Sequence, residues 1–471
     1  AKDGDPVIVE GFVPDVQPGP DAPVYLRSYY LVESETGQRL LDLVHHPASA
    51  IGPLRQELTE EQIRWSAALA GQSELSDEQR LAIRRAIENK VSVITGGPGT
   101  GKTMCLRTLV ALLELYRYRC ALLSPTGRAA RRLAEATGHE AHTIHRLLKY
   151  DGGTFSGEEI QADVVIVDEA SMVDLILMKH LLAALRPAAH LVLVGDADQL
   201  PAVGPGMVLK DVIASGLAVV TRLTHIFRQA ESSLIVANAH RINHGQMPLT
   251  PQHDCDFYLF TAPTAIKAAD LLVDVVYRRI PEQFGEALGL TDPLRDIQVL
   301  APMYKGVSGI EKLNARLQAL LNPPTPEKSE RALQRCTFRV GDKVMITRND
   351  YERDVSNGDI GYVTEIDPIV QEVTVCVDGK PVIYDPTNMD DLTHAYAVSI
   401  HKAQGSEYPA VVIPILTEHA IMLYRQLLYT AVTRARRLCV LVGSRRAIEL
   451  AVATNRGPDR YSGLAGRLQT S

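Results

Sequence analysis

One short stretch constrains the fold of this chain more than any other. The sequence GGPGTGKT, residues 96–103, follows the apolar run VSVIT and precedes a long amphipathic segment. It fits the pattern G-x-x-x-x-G-K-[S/T], whose glycines let the backbone curl until its N–H groups converge on phosphate oxygens. A loop of this kind lies between a β-strand and a helix. The stretch therefore predicts an α/β unit built around a phosphate-binding loop.

The residues of this loop have separate expected roles in holding a nucleoside triphosphate. Lys102 would neutralise the β- and γ-phosphates, and Thr103 would ligate Mg²⁺. The helix that begins near Gly101 would point its N-terminal N–H groups in the same direction. The predicted nucleotide contacts of the loop are Gly97, Pro98, Gly99, Thr100, Gly101, Lys102 and Thr103.

The metal of such a site needs a carboxylate at the end of a strand, and two apolar runs compete to supply it. VVIVDEAS offers Asp168 and Glu169, whereas LVLVGDADQL offers Asp196 and Asp198. We predict that Asp168 binds Mg²⁺ and that Glu169 orients or deprotonates water, because this pair directly follows the apolar strand residues. In the second run we interpret Gln199 as a sensor of the γ-phosphate.

The segment LSDEQRLAI, just ahead of the phosphate-binding loop, supports two interpretations. Ser76 and Gln79 form the capping-box pattern of a helix N-terminus, which needs no ligand to explain it. The amide of Gln79 could instead recognise the edge of an adenine through its donor and its acceptor. Both interpretations can hold together.

Hydrophobic patterning predicts an α/β protein with two parallel sheets and a smaller β region. Short β-branched runs alternate with amphipathic helices in two separate parts of the chain. Between them, short strands and the turn signal Asp378-Gly379 indicate an antiparallel barrel, and near the N-terminus Thr59 is expected to cap a helix. The predicted regions are a mainly helical region (1–75), a first core (76–222) with a short hairpin at about 149–160, a second core in two parts (223–334 and 393–471) and an inserted barrel (335–392).

Composition narrows the setting of the chain. No apolar run in the 471 residues approaches the roughly 20 needed to span a membrane, so no membrane partner is expected. The six cysteines form no CxxC pair, which favours reduced thiols and a cytoplasmic location. The net charge of −7 argues against a nucleic-acid partner, yet residues 104–149 hold eight Lys or Arg against three Glu. That basic face could bind phosphates or could simply be solvated.

An ordered series of motifs resembles superfamily 1 helicases, and most closely the RecD-like branch of superfamily 1B. The series runs from about Leu75 to about Gly443 and consists of DEQRLAI, GGPGTGKT, SPTGRAARRL, AHTIHRLL, VVIVDEASMVD, LVLVGDADQLPAVGPG, LTHIFRQ, QVLAPMYKG, SIHKAQGSEY and LLYTAVTRARR. The resemblance implies two RecA-like cores with ATP between them. It also implies single-stranded DNA running across both cores, movement from 5′ to 3′, and an SH3-like insert.

The resemblance also assigns residues that the pattern alone does not. Arg434 and Arg228 match positions from which such helicases supply arginines to the γ-phosphate, where one fork can meet two oxygens. Glu407 matches a ribose-contacting position. A surface ion pair is the alternative for Arg434, although that interpretation suits Arg436 and Arg437 better.

Two groups of polar residues are expected to contact the DNA strand. The predicted contacts are Pro125, Thr126, Arg128, His142, Thr143 and His145 on the first core, with Ser399, His401 and Lys402 on the second. The hairpin near 149–160 could split duplex DNA or could be an inert loop, and the barrel could cover the DNA or dock a protein. With few aromatic residues near these motifs, we expect phosphate contacts to dominate.

The sequence thus predicts a monomeric ATP-dependent DNA helicase that binds single-stranded DNA and junctions of single-stranded and duplex DNA, with ATP and Mg²⁺. Two alternatives remain. The chain could be an RNA translocase of the same superfamily, or a DNA-bound ATP switch that clamps or recruits partners without unwinding.

Overall fold

The architecture is described from a computed structural model. It describes residues 7–9, 24–72, 74–150, 155–227, 232–251, 255–333, 336–350, 352–455, 457 and 460–469. Among the helices of these ranges, none combines the length and the apolar character required to cross a bilayer.

The N-terminal region is mainly helical, as predicted. Strand β1 (Val7–Val9) pairs antiparallel with β2 (Val24–Leu26), and three helices follow: α1 (Arg27–His45), α2 (Gly52–Glu57) and α3 (Glu60–Leu69). Helix α1 packs against the first core, so this region is joined to the core rather than separate from it.

The first core is a six-stranded parallel sheet in the order β5-β4-β6-β7-β3-β8. Its strands are β3 (Val91–Gly96), β4 (Cys120–Ser124), β5 (Ala141–Thr143), β6 (Val164–Val167), β7 (His190–Gly195) and β8 (Val219–Leu223). Its helices are α4 (Asp77–Glu88), α5 (Lys102–Leu115), α6 (Gly127–Thr137), α7 (Ile144–Leu147), α8 (Leu175–Ala184) and α9 (Val208–Ser215), with a 3₁₀ turn at Ala170–Met172. Every residue of β6 and β7 is buried, because helices cover both faces of the sheet.

The second core begins after the first sheet and is interrupted by an insert. Its first part contains α10 (Leu234–Asn243), β9 (Phe257–Thr261), α11 (Ala265–Asp274), a π-helical turn (Val275–Arg279), α12 (Ile280–Leu288), α13 (Pro293–Asp296), β10 (Ile297–Ala301) and α14 (Ile310–Leu321). Both strands enter the sheet that the later part of the chain completes.

The β-insert, Glu330–His394, is antiparallel throughout. Its strands are β11 (Glu330–Ala332), β12 (Thr337–Arg339), β13 (Lys343–Ile346), β14 (Ile360–Asp367), β15 (Glu372–Val377), β16 (Lys380–Tyr384) and β17 (Leu392–His394), with a 3₁₀ turn at Met389–Asp391. Strands β11 and β12 pair together, and the other five form a sheet in the order β16-β15-β14-β13-β17. The predicted turn is present, since Asp378 and Gly379 have φ angles of 48° and 82° between β15 and β16.

The remainder of the chain completes the second core. Its elements are β18 (Ala397–Ser399), a 3₁₀ turn (His401–Ala403), β19 (Tyr408–Ile415), a 3₁₀ segment (Thr417–Met422), α15 (Arg425–Val432), β20 (Ala435–Gly443), α16 (Arg445–Ala453) and α17 (Leu464–Gln469). The five-stranded sheet, in the order β18-β10-β19-β20-β9, is parallel throughout. The prediction of two parallel-sheet cores is therefore confirmed.

Candidate functional site

The glycine-rich loop connects β3 to α5, as its sequence predicted. Gly101 precedes α5 with a left-handed backbone (φ 81°, ψ 28°), a conformation that glycine adopts without strain. The side chain of Lys102 folds back over the loop, and its Nζ donates to the carbonyl oxygens of Gly96 (2.6 Å) and Gly97 (3.0 Å). The ammonium group of Lys102 therefore lies inside the loop. Phosphate oxygens of a bound nucleotide could replace the two carbonyl oxygens as its acceptors.

A cavity of about 740 Å³ lies between the two cores and in front of this loop. We call it the inter-core cavity. The predicted residues on its wall are Gly97, Pro98, Gly99, Gly101, Lys102, Thr103, Asp168, Glu169, Gln199, Glu407 and Arg434. Thr100 is buried behind the loop, with its hydroxyl donating to the carbonyl of Gly97 (2.9 Å). Residues from opposite ends of the sequence therefore face one space.

Two acidic residues stand together on this wall at the end of β6. Glu169 has a left-handed backbone (φ 52°), which is uncommon for a residue with a side chain. Burial, and then the charge of Glu169, raise the pKa of Asp168 well above its ordinary range. A divalent cation would relieve this repulsion. The hydroxyl of Thr103 and the carboxylate of Asp168 are oxygen donors of the kind that Mg²⁺ takes, so the residues fit that metal.

The competing acidic pair is engaged elsewhere. The hydroxyl of Tyr429 donates to Asp196 (2.6 Å), and the Asn243 amide donates to Asp198 (2.8 Å). Within the described parts of the chain, no cluster of three or more His, Cys, Asp or Glu is arranged to share a metal ion. Among the two pairs, it is Asp168 and Glu169 that line the inter-core cavity.

Arg434 belongs to the cavity wall contributed by the second core. Only 3% of its surface is exposed, and its guanidinium donates to the carbonyls of Thr430 (3.2 Å) and Ser406 (3.1 Å) and to the Thr433 hydroxyl (3.2 Å). It is not a solvated surface arginine. The other predicted arginine, Arg228, lies outside the described residues.

Glu407 joins the two cores at the edge of the same cavity. Its carboxylate pairs with Arg132 of α6 (2.6 Å) and with Arg436 of β20 (2.8 Å). Burial opposes the charge of Glu407, but Arg132, Arg436 and Arg434 hold its pKa below the usual range. Arg132 was not among the predicted site residues, although it lies in the basic run RAARRL.

Gln79 lies behind the loop and is fully buried. The capping box of α4 is confirmed, because Gln79 Oε1 accepts from the Ser76 N–H (2.9 Å) and its own N–H donates to the Ser76 hydroxyl (3.2 Å). Gln79 Nε2 points to the Gly101 carbonyl at 3.5 Å. The structure therefore gives Gln79 a supporting position, and adenine recognition stays a prediction. The predicted helix cap at Thr59 is confirmed as well, because its side chain accepts from the Gln62 N–H.

A second space, of about 800 Å³, lies where both cores meet the β-insert. We call it the groove. The predicted strand contacts that line it are Thr126, Arg128, Ser399, His401 and Lys402. Asn357 of the β-insert also lines it and accepts a hydrogen bond from Lys402 Nζ (2.7 Å). Both cores and the β-insert thus line the same groove.

Arg128 also holds the cores together beneath this groove. Its guanidinium donates to the hydroxyls of Ser406 and Tyr408 at 3.2 Å each and lies 5.3 Å from the centre of the Tyr408 ring. The predicted DNA contact is therefore shared with a contact between the cores.

The groove contains exposed apolar side chains that the sequence analysis missed. Val203, Tyr304 and Ile421 line it with 79%, 54% and 87% of their surface exposed. Tyr304 offers a flat ring on which a base could stack, and the expectation that phosphate contacts dominate stays a prediction. The motif QVLAPMYKG contained this signal.

The remaining predicted strand contacts do not line the groove. They are Pro125, His142, Thr143 and His145. Thr143 caps α7 by accepting from the Arg146 N–H (3.1 Å), and His145 packs against Tyr150 and Phe155 with ring centres 5.3 and 5.9 Å away. Burial lowers the pKa of His145. Residues 151–154, at the tip of the predicted hairpin, lie outside the described residues.

Three family models match successive parts of the chain. An AAA domain model matches residues 74–258, a model of the SH3 domain of ATP-dependent RecD-like DNA helicases matches residues 313–376, and a UvrD-like helicase C-terminal domain model matches residues 394–442. Two parallel-sheet cores around a phosphate-binding loop, with an SH3 domain inserted in the second, define the P-loop helicase class of protein.

Two relatives identify the family within this class. The chain is 36% identical over 395 residues to the ATP-dependent RecD2 DNA helicase of Deinococcus radiodurans, a match covering 83% of the chain and 52% of that protein. It is 34% identical over 432 residues to the RecBCD enzyme subunit RecD of Mycobacterium tuberculosis, covering 84% of the chain and 73% of the relative. The chain belongs to the RecD-like helicase family. It spans about half the length of the Deinococcus relative.

Solved structures of Pif1 helicases are more distantly similar. One, of Pif1 unwinding forked duplex DNA, has a TM-score of 0.49 at 21% identity and covers 78% of this chain and 92% of that chain. Another, of Bacteroides Pif1 bound to single-stranded DNA, has a TM-score of 0.47 at 20% identity with the same coverage of 78% and 92%. These likenesses are too remote to add to the assignment.

Proposed function

We propose that this chain is an ATP-dependent DNA helicase that translocates along single-stranded DNA from 5′ to 3′ and couples ATP hydrolysis to unwinding. The observation that carries this proposal is the inter-core cavity, whose wall includes Lys102 of one core and Arg434 of the other. A nucleotide bound there would contact both cores at once. Its hydrolysis would therefore change how the cores meet.

The first core would hold the triphosphate. Lys102 would exchange the carbonyls of Gly96 and Gly97 for β- and γ-phosphate oxygens, which are stronger acceptors because they are charged. Thr103 and Asp168 would hold Mg²⁺. When bound, this metal neutralises charge on the phosphates.

The residues around the γ-phosphate would divide the remaining work. Glu169 would orient or deprotonate the attacking water, and Gln199 would respond to the presence of the γ-phosphate. Arg434 and Arg228 would approach from the second core, as the family resemblance implies. Because ATP would then favour closed cores, binding and loss of the γ-phosphate would shift the population between closed and open states.

Two further residues would contact the nucleoside. To reach adenine, the Gln79 side chain would have to break its hydrogen bond to the Gly101 carbonyl. At 3.5 Å, this is the longer of the two hydrogen bonds that the side chain makes. Glu407 would approach the ribose while it remains paired with Arg132 and Arg436.

The groove would carry the DNA strand. Basic and hydroxyl groups from both cores line it, and Tyr304 adds a ring on which a base could stack. The other predicted contacts, Pro125, His142, Thr143 and His145, would extend this surface along the first core. We expect binding as a monomer to single strands and to junctions with duplex DNA, with weak sequence preference and strong salt dependence.

Unwinding of matched duplexes tests the proposal. Two substrates share one duplex and differ only in carrying a 5′ or a 3′ single-stranded tail, and strand separation is followed with ATP and Mg²⁺. We expect separation of the 5′-tailed duplex and little of the 3′-tailed one. The matched control is Lys102→Ala, which should bind the strand but separate neither duplex.

The other outcomes identify the alternatives. Preferred use of an RNA tail, with ATP hydrolysis stimulated by RNA rather than DNA, would favour an RNA translocase. ATP-dependent strand binding without separation of either duplex would favour a switch that clamps DNA. Separation of the 3′-tailed duplex alone would contradict the proposed direction.

A further inference from the structure

A buried hydrogen bond joins the two cores behind the inter-core cavity. The Tyr429 hydroxyl, on α15 of the second core, donates to Asp196 Oδ2 of the first core at 2.6 Å. Only 1% of Tyr429 and 2% of Asp196 is exposed. The bond lies between residues that are 233 positions apart, so it exists only while the cores are in contact.

The same carboxylate oxygen holds a residue of the cavity wall. Gln199 Nε2 donates to Asp196 Oδ2 at 3.2 Å, and the Asp198 N–H donates to the other oxygen at 3.0 Å. Gln199 itself lines the inter-core cavity. Asp196 therefore connects Tyr429 to the side chain expected to face the γ-phosphate.

The next residue of α15 makes a parallel connection. The Thr430 hydroxyl accepts from the Leu200 N–H of the first core at 2.9 Å, and the Thr430 carbonyl accepts from Arg434 Nε at 3.2 Å. Leu200 directly follows Gln199 in the chain. Thr430 of α15 therefore contacts the segment that carries Gln199, and it also contacts Arg434 on the opposite wall of the cavity.

We propose that Tyr429 and Asp196 are positioning residues that set Gln199 and Arg434 against the same nucleotide when the cores close. The inference rests on the proposed ATP-dependent function and adds to it the residues that align the two walls. Neither residue lines the cavity, so neither is proposed to touch ATP. They act through Gln199 and through α15.

The hydrogen bond between Tyr429 and Asp196 favours the closed arrangement of the cores over the open one. A hydroxyl that donates to a buried carboxylate stabilises the arrangement in which the two meet, and it contributes nothing once the cores separate. Without the hydroxyl, Asp196 keeps the Asp198 N–H and Gln199 as donors. Gln199 would then be free to follow Asp196 away from its closed position.

Steady-state ATP hydrolysis by Tyr429→Phe tests this inference. The variant keeps the ring and removes only the hydroxyl. In the presence of poly(dT), we expect kcat to fall by about tenfold, the change that corresponds to losing a hydrogen bond to a charged group. The KM for ATP should change by less than about twofold, because the substitution removes no side chain from the wall of the inter-core cavity.

The chain offers a matched control in Tyr396→Phe. The Tyr396 hydroxyl also donates to a buried aspartate, Asp342, at 2.7 Å, but it joins the second core to the β-insert away from both spaces. If loss of a buried Tyr–Asp bond only destabilises the protein, both variants should lower the thermal midpoint and kcat alike. Of these two variants, we expect only Tyr429→Phe to lower kcat. A second variant, Thr430→Val, should also lower kcat, because it removes the acceptor of the Leu200 N–H.

The results separate this inference from the function it rests on. Wild-type protein that hydrolyses no ATP with poly(dT) would overturn the proposed function and this inference with it. Active wild type with an equally active Tyr429→Phe would overturn the inference alone. An equal loss of kcat in Tyr429→Phe and Tyr396→Phe would also overturn it, because stability would then explain both.

Discussion

At the scale of single residues, Arg434 shows how a buried charge can have dipoles rather than a carboxylate as its hydrogen-bond acceptors among the described residues. Two carbonyls and a hydroxyl of its own core accept from the guanidinium, which keeps the charge solvated by dipoles. An arginine held in this way has a fixed direction. It is therefore ready to meet a phosphate oxygen with little loss of side-chain entropy.

Substitution of Arg434 tests its role. Arg434→Ala should lower ATP turnover by about a thousandfold or more, the effect typical of an arginine that stabilises a transferring phosphoryl group. Binding of a fluorescent ATP analogue should weaken far less. Arg437→Ala is the control, because Arg437 is exposed and donates to the Leu288 carbonyl (2.8 Å). A loss of turnover no greater in Arg434→Ala than in Arg437→Ala would contradict the assignment.

At the scale of elements, Asp342 joins the β-insert to the second core. It is fully buried, and it accepts from Tyr396 (2.7 Å), from Asn322 and Gln318 at the end of α14 (2.7 Å each) and from His394 of β17 (3.1 Å). Such a satisfied polar network fixes one arrangement of the groups that form it. The β-insert and the second core should therefore move as one body.

The pH dependence of stability tests this joint. Burial opposes the charge of Asp342, but hydrogen bonds from His394, Asn322 and Tyr396 keep its pKa below the ordinary value. A carboxyl with a lowered pKa stabilises the fold above its ordinary pKa, and this stabilisation is lost as the pH falls through the lowered value. Asp342→Asn should lower the thermal midpoint by on the order of 5 °C at pH 7.

The difference between wild type and Asp342→Asn should shrink as the pH falls below about 4, near and below the ordinary pKa of aspartate. Thermal midpoints of both proteins, measured in parallel from neutral to acidic pH, give this difference directly. A difference that stays constant across that range would mean that the charge of Asp342 does not stabilise the joint.

Several elements were predictable because their signals are local. The loop at residues 96–103, the helix cap at Thr59, the capping box at Ser76 and the turn Asp378-Gly379 each depend on residues that are close in the chain. The alternation of apolar strands and amphipathic helices is likewise a local pattern, and it indicates that helices cover both faces of each sheet. The wall of the inter-core cavity was predicted largely from motifs of the same local kind.

Other features could not be predicted because they depend on distant partners. Nothing near Tyr429 indicates that its hydroxyl meets Asp196, and the run around Arg132 does not indicate Glu407 as its partner. Gln79 is a different case, because the capping-box pattern and the predicted adenine contact concern the same side chain. Val203 and Ile421 became visible as groove residues only when the cores were brought together.

At the scale of the whole molecule, the β-insert contacts the first core through charges. Arg131 pairs with Asp359 and with Asp378 (3.2 Å), and Arg146 pairs with Asp354 (2.7 Å). The network at Asp342 is buried, whereas the side chains of these pairs are 37% to 61% exposed, with Asp359 buried. The contact with the first core should therefore be the one that opens, and salt should weaken it.

Strand release tests the difference between these two attachments. Arg131→Ala should speed dissociation from a circular single strand by about tenfold, the factor that follows from losing on the order of 1.4 kcal/mol. Release is followed by fluorescence after a competitor strand is added. Arg119→Ala, which removes an ion pair with Asp163 (3.7 Å) within the first core, should leave release unchanged. Equal release by both variants would contradict a role for the charged pairs.

The β-insert bridges the two cores beside the groove, because Asn357 accepts from Lys402 and Asp359 pairs with Arg131. This bridge has a consequence for how a strand could enter or leave the groove. A strand that ran between this bridge and the cores would be enclosed by it, so a circular strand could then be captured or released only while these contacts are broken. Loading of a circular strand and translocation along it would then depend on different bonds. Conditions that favour one, such as low ionic strength, would not automatically favour the other.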